Sequence, residues 1–231
     1  MTANSALPAN CKLESNFSLK KMDKPYLKQI GMLLYIAQAL RPDIAYAVNY
    51  LALFSLKTNQ HHWNALENLI AYFRGTTYDG ILIRKNQDSQ QMKCYIDANW
   101  GGEASRLTHG YVILHGKNPI AWQLRRQTTV ASSMAQAEYM ALSFAAKEML
   151  WMYNLFCKTI DLNTPILLSD NKMAVGISTD SMSKKQTQHL IREFNVINEY
   201  IVMKKMELKW VAMREKLADI MTKPLRSVKT Q

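Results

Sequence analysis

The chain has 231 residues, of which 48% are hydrophobic and 20% charged, a composition typical of a globular protein and not of a disordered one. Its net charge of +11 suits a polyanionic partner such as nucleic acid, although it also suits plain solubility. No apolar run reaches the roughly 18 residues of a membrane span, and Cys11, Cys94 and Cys157 are too widely spaced for a zinc motif or a disulfide framework. We therefore expect an intracellular, cytoplasmic protein, with the nucleus as a second possibility.

The first part of the chain predicts a small helical unit. Residues 1–24 are polar and are expected to form an extended lead-in. Apolar residues at helical spacing, a proline at a helix start and a closing glycine predict helices over 26–40, 42–56 and 59–75. Residues 78–84 predict a strand, and 85–91 a polar linker.

The remainder predicts an α/β sheet covered by helices. Three strands separated by short turns, which favour an antiparallel meander, are expected at 92–97, 109–116 and 118–125. A long helix at about 135–158 precedes a wholly apolar strand at 165–170, which we expect to be buried on both faces. Further elements are predicted as a helix from 171, a helix at about 186–204, a strand at 205–212 and a helix at 214–223.

Four carboxylates occupy related positions in this pattern. Asp97 and Asp170 each end a predicted strand, Glu138 lies at the start of the long helix, and Asp219 lies in the last helix. Each has an ordinary explanation when it is taken alone: Asp97 as a hydrogen-bond acceptor in a turn, Asp170 as a helix cap, Asp219 as a solvated residue. Together they can meet at one edge of the sheet, where the sites of open α/β sheets form.

The chemistry of this set is that of hard oxygen ligands. Carboxylates without supporting histidine or cysteine suit Mg²⁺ or Mn²⁺ rather than zinc. Two such ions about 4 Å apart can activate a water and hold the leaving oxygen of a phosphodiester. The set therefore points to metal-dependent phosphodiester hydrolysis.

Several stretches of the chain resemble a known family in both sequence and order. Among them are LRPDIAYAVNYL (40–51), AQAEYMALS (135–143), LLSDNKMAV (167–175) and LADIMTKPL (217–225). They resemble the C-terminal part of the Pol polyprotein of copia-type LTR retrotransposons, in which the end of reverse transcriptase is followed by ribonuclease H. The resemblance implies a reverse-transcriptase thumb or connection segment over 1–88. It also implies a ribonuclease-H-like domain over 89–231, with a mixed five-stranded sheet flanked by helices.

The resemblance also implies a site and a substrate. The family's metal-binding, catalytic acids fall on Asp97, Glu138, Asp170 and Asp219, which would hold two Mg²⁺ or Mn²⁺ ions and cut the RNA strand of an RNA–DNA hybrid. Candidate substrate contacts are Gln136 and Asn171, which flank catalytic positions, and the cations Arg125, Arg126, Lys184 and Lys185. A further expected partner is the rest of the Pol polyprotein, and for an active element the expected location is a virus-like particle.

Some residues depart from the family's pattern. Asn99 stands where relatives commonly carry an acid, Ala135-Gln136 where they carry Thr-Glu, and no histidine shortly precedes Asp219. The chain has no Asp-Asp pair, so we expect no polymerase activity. The alternative is a catalytically inactive, nucleic-acid-binding remnant of a decayed element.

Overall fold

The computed structural model describes residues 3–8, 11, 13, 25–85, 90–99, 108–126, 134–171, 191–212 and 217–223. The residues divide into two compact units: the first comprises the described residues up to Ile81 together with Lys223, and the second spans Leu82–Thr222. Among the described helices, none is both long and apolar enough to cross a bilayer.

The first unit contains the three expected helices. They are α1 (Tyr26–Ala39), α2 (Ala45–Ala52), which a 3₁₀ turn (Pro42–Ile44) precedes, and α3 (Gln60–Gly75). The second is shorter than its predicted range. The start of α3 is fixed by Asn59, whose side chain accepts hydrogen bonds from the backbone N–H groups of His61 and His62, while the His62 ring accepts one from the Asn59 N–H.

The strand predicted at 78–84 is wrong. Residues 79–85 carry no regular structure, and Leu82 and Ile83 remain 66% and 62% exposed. The Asn118 side chain accepts a hydrogen bond from the Arg84 N–H at 2.9 Å and donates one to the Arg84 carbonyl at 2.7 Å. At Arg84 one side chain thus occupies both backbone groups that a strand partner would use, and the exposed Leu82 and Ile83 show no buried apolar face that would favour a strand.

The second unit is built on one mixed sheet. Its strands are β1 (Met92–Asn99), β2 (Thr108–His115), β3 (Asn118–Arg126), β4 (Ile166–Ser169) and β5 (Glu207–Trp210), in the order β3-β2-β1-β4-β5. The pairs β1–β2 and β2–β3 are antiparallel, whereas β1–β4 and β4–β5 are parallel. The helices are α4 (Met134–Phe156), α5 (Ile191–Val202) and α6 (Asp219–Thr222). The predicted mixed five-stranded sheet flanked by helices is confirmed.

The two faces of β1 have different roles. Met92, Cys94 and Ile96 are buried in the core that α4 covers, where burial raises the pKa of the Cys94 thiol. Because side chains alternate along a strand, Asp97 points to the opposite face. Strand β4 was expected to be buried on both faces, but only Leu167 and Ser169 are buried, while Ile166 and Leu168 are partly exposed.

The predicted helix that starts at residue 171 lies, beyond its first residue, outside the described residues, as do residues 186–190 of the next predicted helix and 214–216 of the last one.

Candidate active site

Asp97 occupies the third-last position of β1, directly opposite Gly110 on β2. Its side chain is almost fully buried, with the residue 5% exposed. The Thr222 hydroxyl donates a hydrogen bond to Asp97 Oδ2. A carboxylate removed from water in this way needs donors or a cation around it, and Thr222 is one such donor.

Asp170 follows directly after β4, the parallel neighbour of β1. The register pairs Lys93 with Ile166 and Tyr95 with Leu168, so its continuation by two residues brings Asp170 level with Asp97. The Asn171 N–H donates to Ser169 Oγ at 3.2 Å, and the Trp210 indole donates to the Asp170 carbonyl at 3.1 Å. These bonds fix the backbone on both sides of Asp170, while its side chain stays partly exposed.

Asp219 is the first residue of α6, which packs on β1, β2 and β3. Met221 and Thr222 of this short helix are fully buried. Met221 lies so close over Gly110 that any β-carbon at this position would collide with the Met221 side chain. The glycine opposite Asp97 therefore lets α6 approach the sheet, and α6 covers the face to which Asp97 points.

Glu138 comes from the first two turns of α4. Its neighbours Ala137 and Ala141 are buried and allow the helix to approach β1 closely, while Glu138 is partly exposed. Since α4 covers the face opposite to the one to which Asp97 points, a site shared by Glu138 and Asp97 would have to form past the end of β1 and not across its face.

Register and packing place Asp97 and Asp170 level on adjacent strands and Asp219 on the helix that packs over the face to which Asp97 points, while Glu138 comes from the helix on the opposite face. Within the described part of the chain, however, no three side chains of the His, Cys, Asp and Glu type lie close enough to hold one ion together. The set offers oxygen donors alone, two of them at the ends of parallel strands and two on helices, and in its chemistry it fits a hard divalent cation. The assignment of these residues as metal ligands stays a prediction.

Two of the predicted basic contacts lie at the same end of the sheet. Arg125 pairs with His109 and Arg126 with Thr108, in the rows just beyond Asp97 and Gly110. Both arginines are exposed, and by alternation they point to opposite faces. The Arg125 guanidinium lies 5.2 Å above the ring of Phe144, which holds it on the α4 side.

The other predicted substrate contacts are less completely described. Lys184 and Lys185 lie outside the described residues, and for Gln136 only the backbone, in the first turn of α4, is described. Asn171 is partly buried beside Asp170.

Sequence reasoning missed His109 and Thr222. His109 is 6% exposed, its ring lies 5.0 Å from that of Phe144, and neither ring nitrogen has a hydrogen-bond partner among the described residues. Burial, and secondarily the charge of Arg125, lowers its pKa to about 4. The signal that could have found Thr222 is its spacing of three from Asp219, because residues three apart lie on one side of a helix.

Comparison with known proteins shows two kinds of similarity, while no protein-family model matches the chain. The retrovirus-related Pol polyprotein from transposon RE2 of Arabidopsis thaliana is 30% identical over 206 residues, covering 87% of this chain. The corresponding polyprotein from transposon TNT 1-94 of Nicotiana tabacum is 30% identical over 203 residues, covering 86%. The chain spans only 14% and 15% of the length of these two polyproteins.

Among solved structures, LC11-RNase H1, isolated from compost by a metagenomic approach, aligns with 57% of this chain and 92% of its own. The TM-score is 0.45 and the sequence identity 18%.

Proposed function

Because the chain belongs to the retrovirus-related Pol polyproteins of copia-type transposons, we propose that its second unit is a ribonuclease that cuts the RNA strand of RNA–DNA hybrids in a metal-dependent reaction. The observation that carries the proposal is the placement of Asp97 and Asp170 at the same level of two parallel strands, with α6, which carries Asp219, packed over the face to which Asp97 points. Strand ends of this kind are where the sites of α/β sheets lie.

Asp97, Glu138, Asp170 and Asp219 would hold two Mg²⁺ or Mn²⁺ ions, which would activate a water and stabilise the leaving oxygen. The chain's own contribution is to fix these side chains in position. The bonds of Asn171 and Trp210 hold the backbone around Asp170, and Thr222 holds Asp97. The buried surroundings of Asp97 also keep bulk water away from one side of the site.

The substrate proposal rests on charge as well as on family membership. A net charge of +11 favours binding to a nucleic-acid backbone. Arg125 and Arg126 place one cation on each face of the sheet at the end where the acids lie, so they can contact two different stretches of phosphate backbone. An RNA–DNA hybrid is then distinguished from DNA by its 2′-hydroxyls.

A second candidate function is nucleic-acid binding without turnover. It is favoured by one observation: in the described part of the chain, no three acids converge on one ion position. This candidate predicts salt-sensitive binding of hybrids with no cleavage in either Mg²⁺ or Mn²⁺.

The test is a substrate panel for the purified chain: a hybrid labelled on either strand, an RNA duplex and a DNA duplex, each with Mg²⁺, Mn²⁺ or EDTA. We expect the RNA strand of the hybrid alone to be cut, and only with a metal ion. Binding of the hybrid without cleavage would favour the second candidate, and cutting of the DNA strand would contradict the proposed substrate.

A further inference from the structure

We infer that Phe144 is a positioning residue, which holds the Arg125 guanidinium in place to bind a phosphate of the nucleic-acid backbone; this inference rests on the proposed function, which supplies that phosphate. Arg125 lies near the end of β3, and Phe144 lies in α4. The guanidinium carbon is 5.2 Å from the centre of the Phe144 ring. The ring covers one flat face of the guanidinium, whose N–H groups lie in its plane and point outward at its edge.

The ring of Phe144 is itself held by two buried side chains of β2. The rings of His109 and Tyr111 lie 5.0 Å and 6.0 Å from it, and both residues are only 6% exposed. Because burial lowers the pKa of His109 to about 4, this ring is uncharged at neutral pH and does not repel the neighbouring guanidinium. Phe144 cannot turn away without disturbing this packing, so it forms a rigid support for Arg125.

A second arginine of the chain shows the same stacking with a different outcome. The Arg41 guanidinium lies 5.2 Å from the centre of the Phe73 ring, and the residue is buried. Its N–H groups donate to both carboxylate oxygens of Asp43, at 2.8 Å and 2.7 Å, and to Thr76. Its donors are therefore used inside the protein.

The donors of Arg125 are not used in this way. Arg125 is exposed, and with the residues in the described ranges its guanidinium makes no hydrogen bond or ion pair. A guanidinium that is held on one face and open at its edge suits phosphate, because its N–H groups can bind two phosphate oxygens at once. A side chain that is already held in place also loses less conformational freedom on binding than a mobile surface cation.

The position of Arg125 links this contact to the proposed site. Arg125 pairs with His109, and His109 with Ala98, in the register row next to that of Asp97. A backbone that binds Arg125 thus passes the end of the sheet at which Asp97 lies, on the face that α4 covers.

The experiment measures the affinity of the full chain for a fluorescently labelled RNA–DNA hybrid by anisotropy, in EDTA so that the hybrid is not cut. The variants are Phe144→Leu, Phe144→Tyr, Arg125→Ala and the combination of Phe144→Leu with Arg125→Ala. The matched control is Phe73→Leu, which removes the ring beside Arg41, an arginine whose donors are already occupied. Thermal unfolding checks that each variant is folded.

We expect Arg125→Ala to lower the affinity by about tenfold, the loss of one charge-assisted hydrogen-bonded contact. Phe144→Leu should lower it by about two- to fivefold, the contribution of a cation–π contact at an exposed site. Phe144→Tyr, which keeps the ring, and Phe73→Leu should bind like the unmodified chain. When Arg125 is already alanine, Phe144→Leu should cause no further loss, because the two residues act through one contact.

This coupling separates positioning from a merely structural role. Unchanged affinity in Phe144→Leu, the same loss in Phe144→Tyr, or an equal loss whether or not Arg125 is present would overturn the inference. So would an unmodified chain that does not bind the hybrid. If Phe144→Leu does not fold, Phe144→Met, a flexible side chain that fills irregular space, takes its place with the same expectations.

The inference and the proposed function fail in different ways. Coupling between Phe144 and Arg125 in a chain that cuts no hybrid with Mg²⁺ or Mn²⁺ would support the positioning role and contradict the proposed activity. Metal-dependent cleavage by a chain without this coupling would support the activity and overturn the inference.

Discussion

At the scale of single residues, His109 is a buried imidazole that the proposed chemistry does not use. Burial and the charge of Arg125 lower its pKa from 6.5 to about 4. Between these two values the unfolded chain binds the proton and the folded chain does not, so the free energy of unfolding decreases as the pH falls. Above pH 6.5 both states are neutral, and this contribution to stability is fully present.

We predict that the second unit loses on the order of 2 kcal/mol of its free energy of unfolding between pH 7 and pH 5 through His109. His109→Leu removes the titrating group and should make the urea midpoint less dependent on pH over this interval. The measurement is urea unfolding followed by circular dichroism at both pH values. An equally steep pH dependence in the variant would show that other groups cause it.

At the scale of elements, the approach of α6 to the sheet depends on Gly110. We predict that Gly110→Ala pushes Met221 and with it α6 away from β2, at a cost of about 1–3 kcal/mol in the free energy of unfolding. Because α6 carries both Asp219 and Thr222, hybrid cleavage should fall as well. Denaturant unfolding and the cleavage assay check the two effects.

The control is Gly31→Ala in α1, where an added β-carbon would meet no atom within 4 Å. Replacing this helical glycine by alanine should stabilise the first unit by about 0.5–1 kcal/mol. If Gly110→Ala were as well tolerated as Gly31→Ala, the close packing of α6 on β2 would not exist in solution.

The elements that the sequence predicted well are those whose signals are local. The end of α3 at Gly75 was predictable because a closing glycine acts within its own turn, and β1 to β3 because short turns separate them. Residues 78–84 contain similar apolar residues, but whether they pair as a strand depends on distant partners, and there the Asn118 side chain bonds Arg84 instead.

The candidate site shows the same difference between features with a local sequence signal and features that depend on distant residues. Asp97 and Asp170 could be selected because strand ends are visible in sequence. The spacing of three from Asp219 makes Thr222 a candidate, but its hydrogen bond to Asp97 could not be predicted, since it joins residues 125 positions apart and only the docking of α6 creates it.

At the scale of the whole molecule, the charge of +11 should make nucleic-acid binding strongly dependent on salt. We predict that Arg125→Ala combined with Arg126→Ala weakens hybrid binding and lowers the slope of log affinity against log salt by about two, roughly one for each lost phosphate contact. Fluorescence anisotropy with a labelled hybrid at several salt concentrations measures both quantities.

The matched control removes two cations elsewhere in the second unit. Lys117, in the turn between β2 and β3, and Lys158, just beyond α4, are both exposed. Lys117→Ala combined with Lys158→Ala changes the net charge by the same amount and should leave the slope nearly unchanged. Equal losses of affinity and slope in both double variants would show that only the total charge of the protein matters, and not contacts of Arg125 and Arg126 with phosphates.

The central claim is that Asp97 belongs to a metal-dependent site for hybrid hydrolysis. The most direct measurement is cleavage of an RNA–DNA hybrid, labelled at the RNA end, by the unmodified chain, by Asp97→Asn and by Asp161→Asn, an exposed aspartate in the same unit. We predict cleavage in Mg²⁺ or Mn²⁺ by the unmodified chain and by Asp161→Asn, and none by Asp97→Asn, which should still bind the hybrid. Undiminished cleavage by Asp97→Asn would contradict the claim.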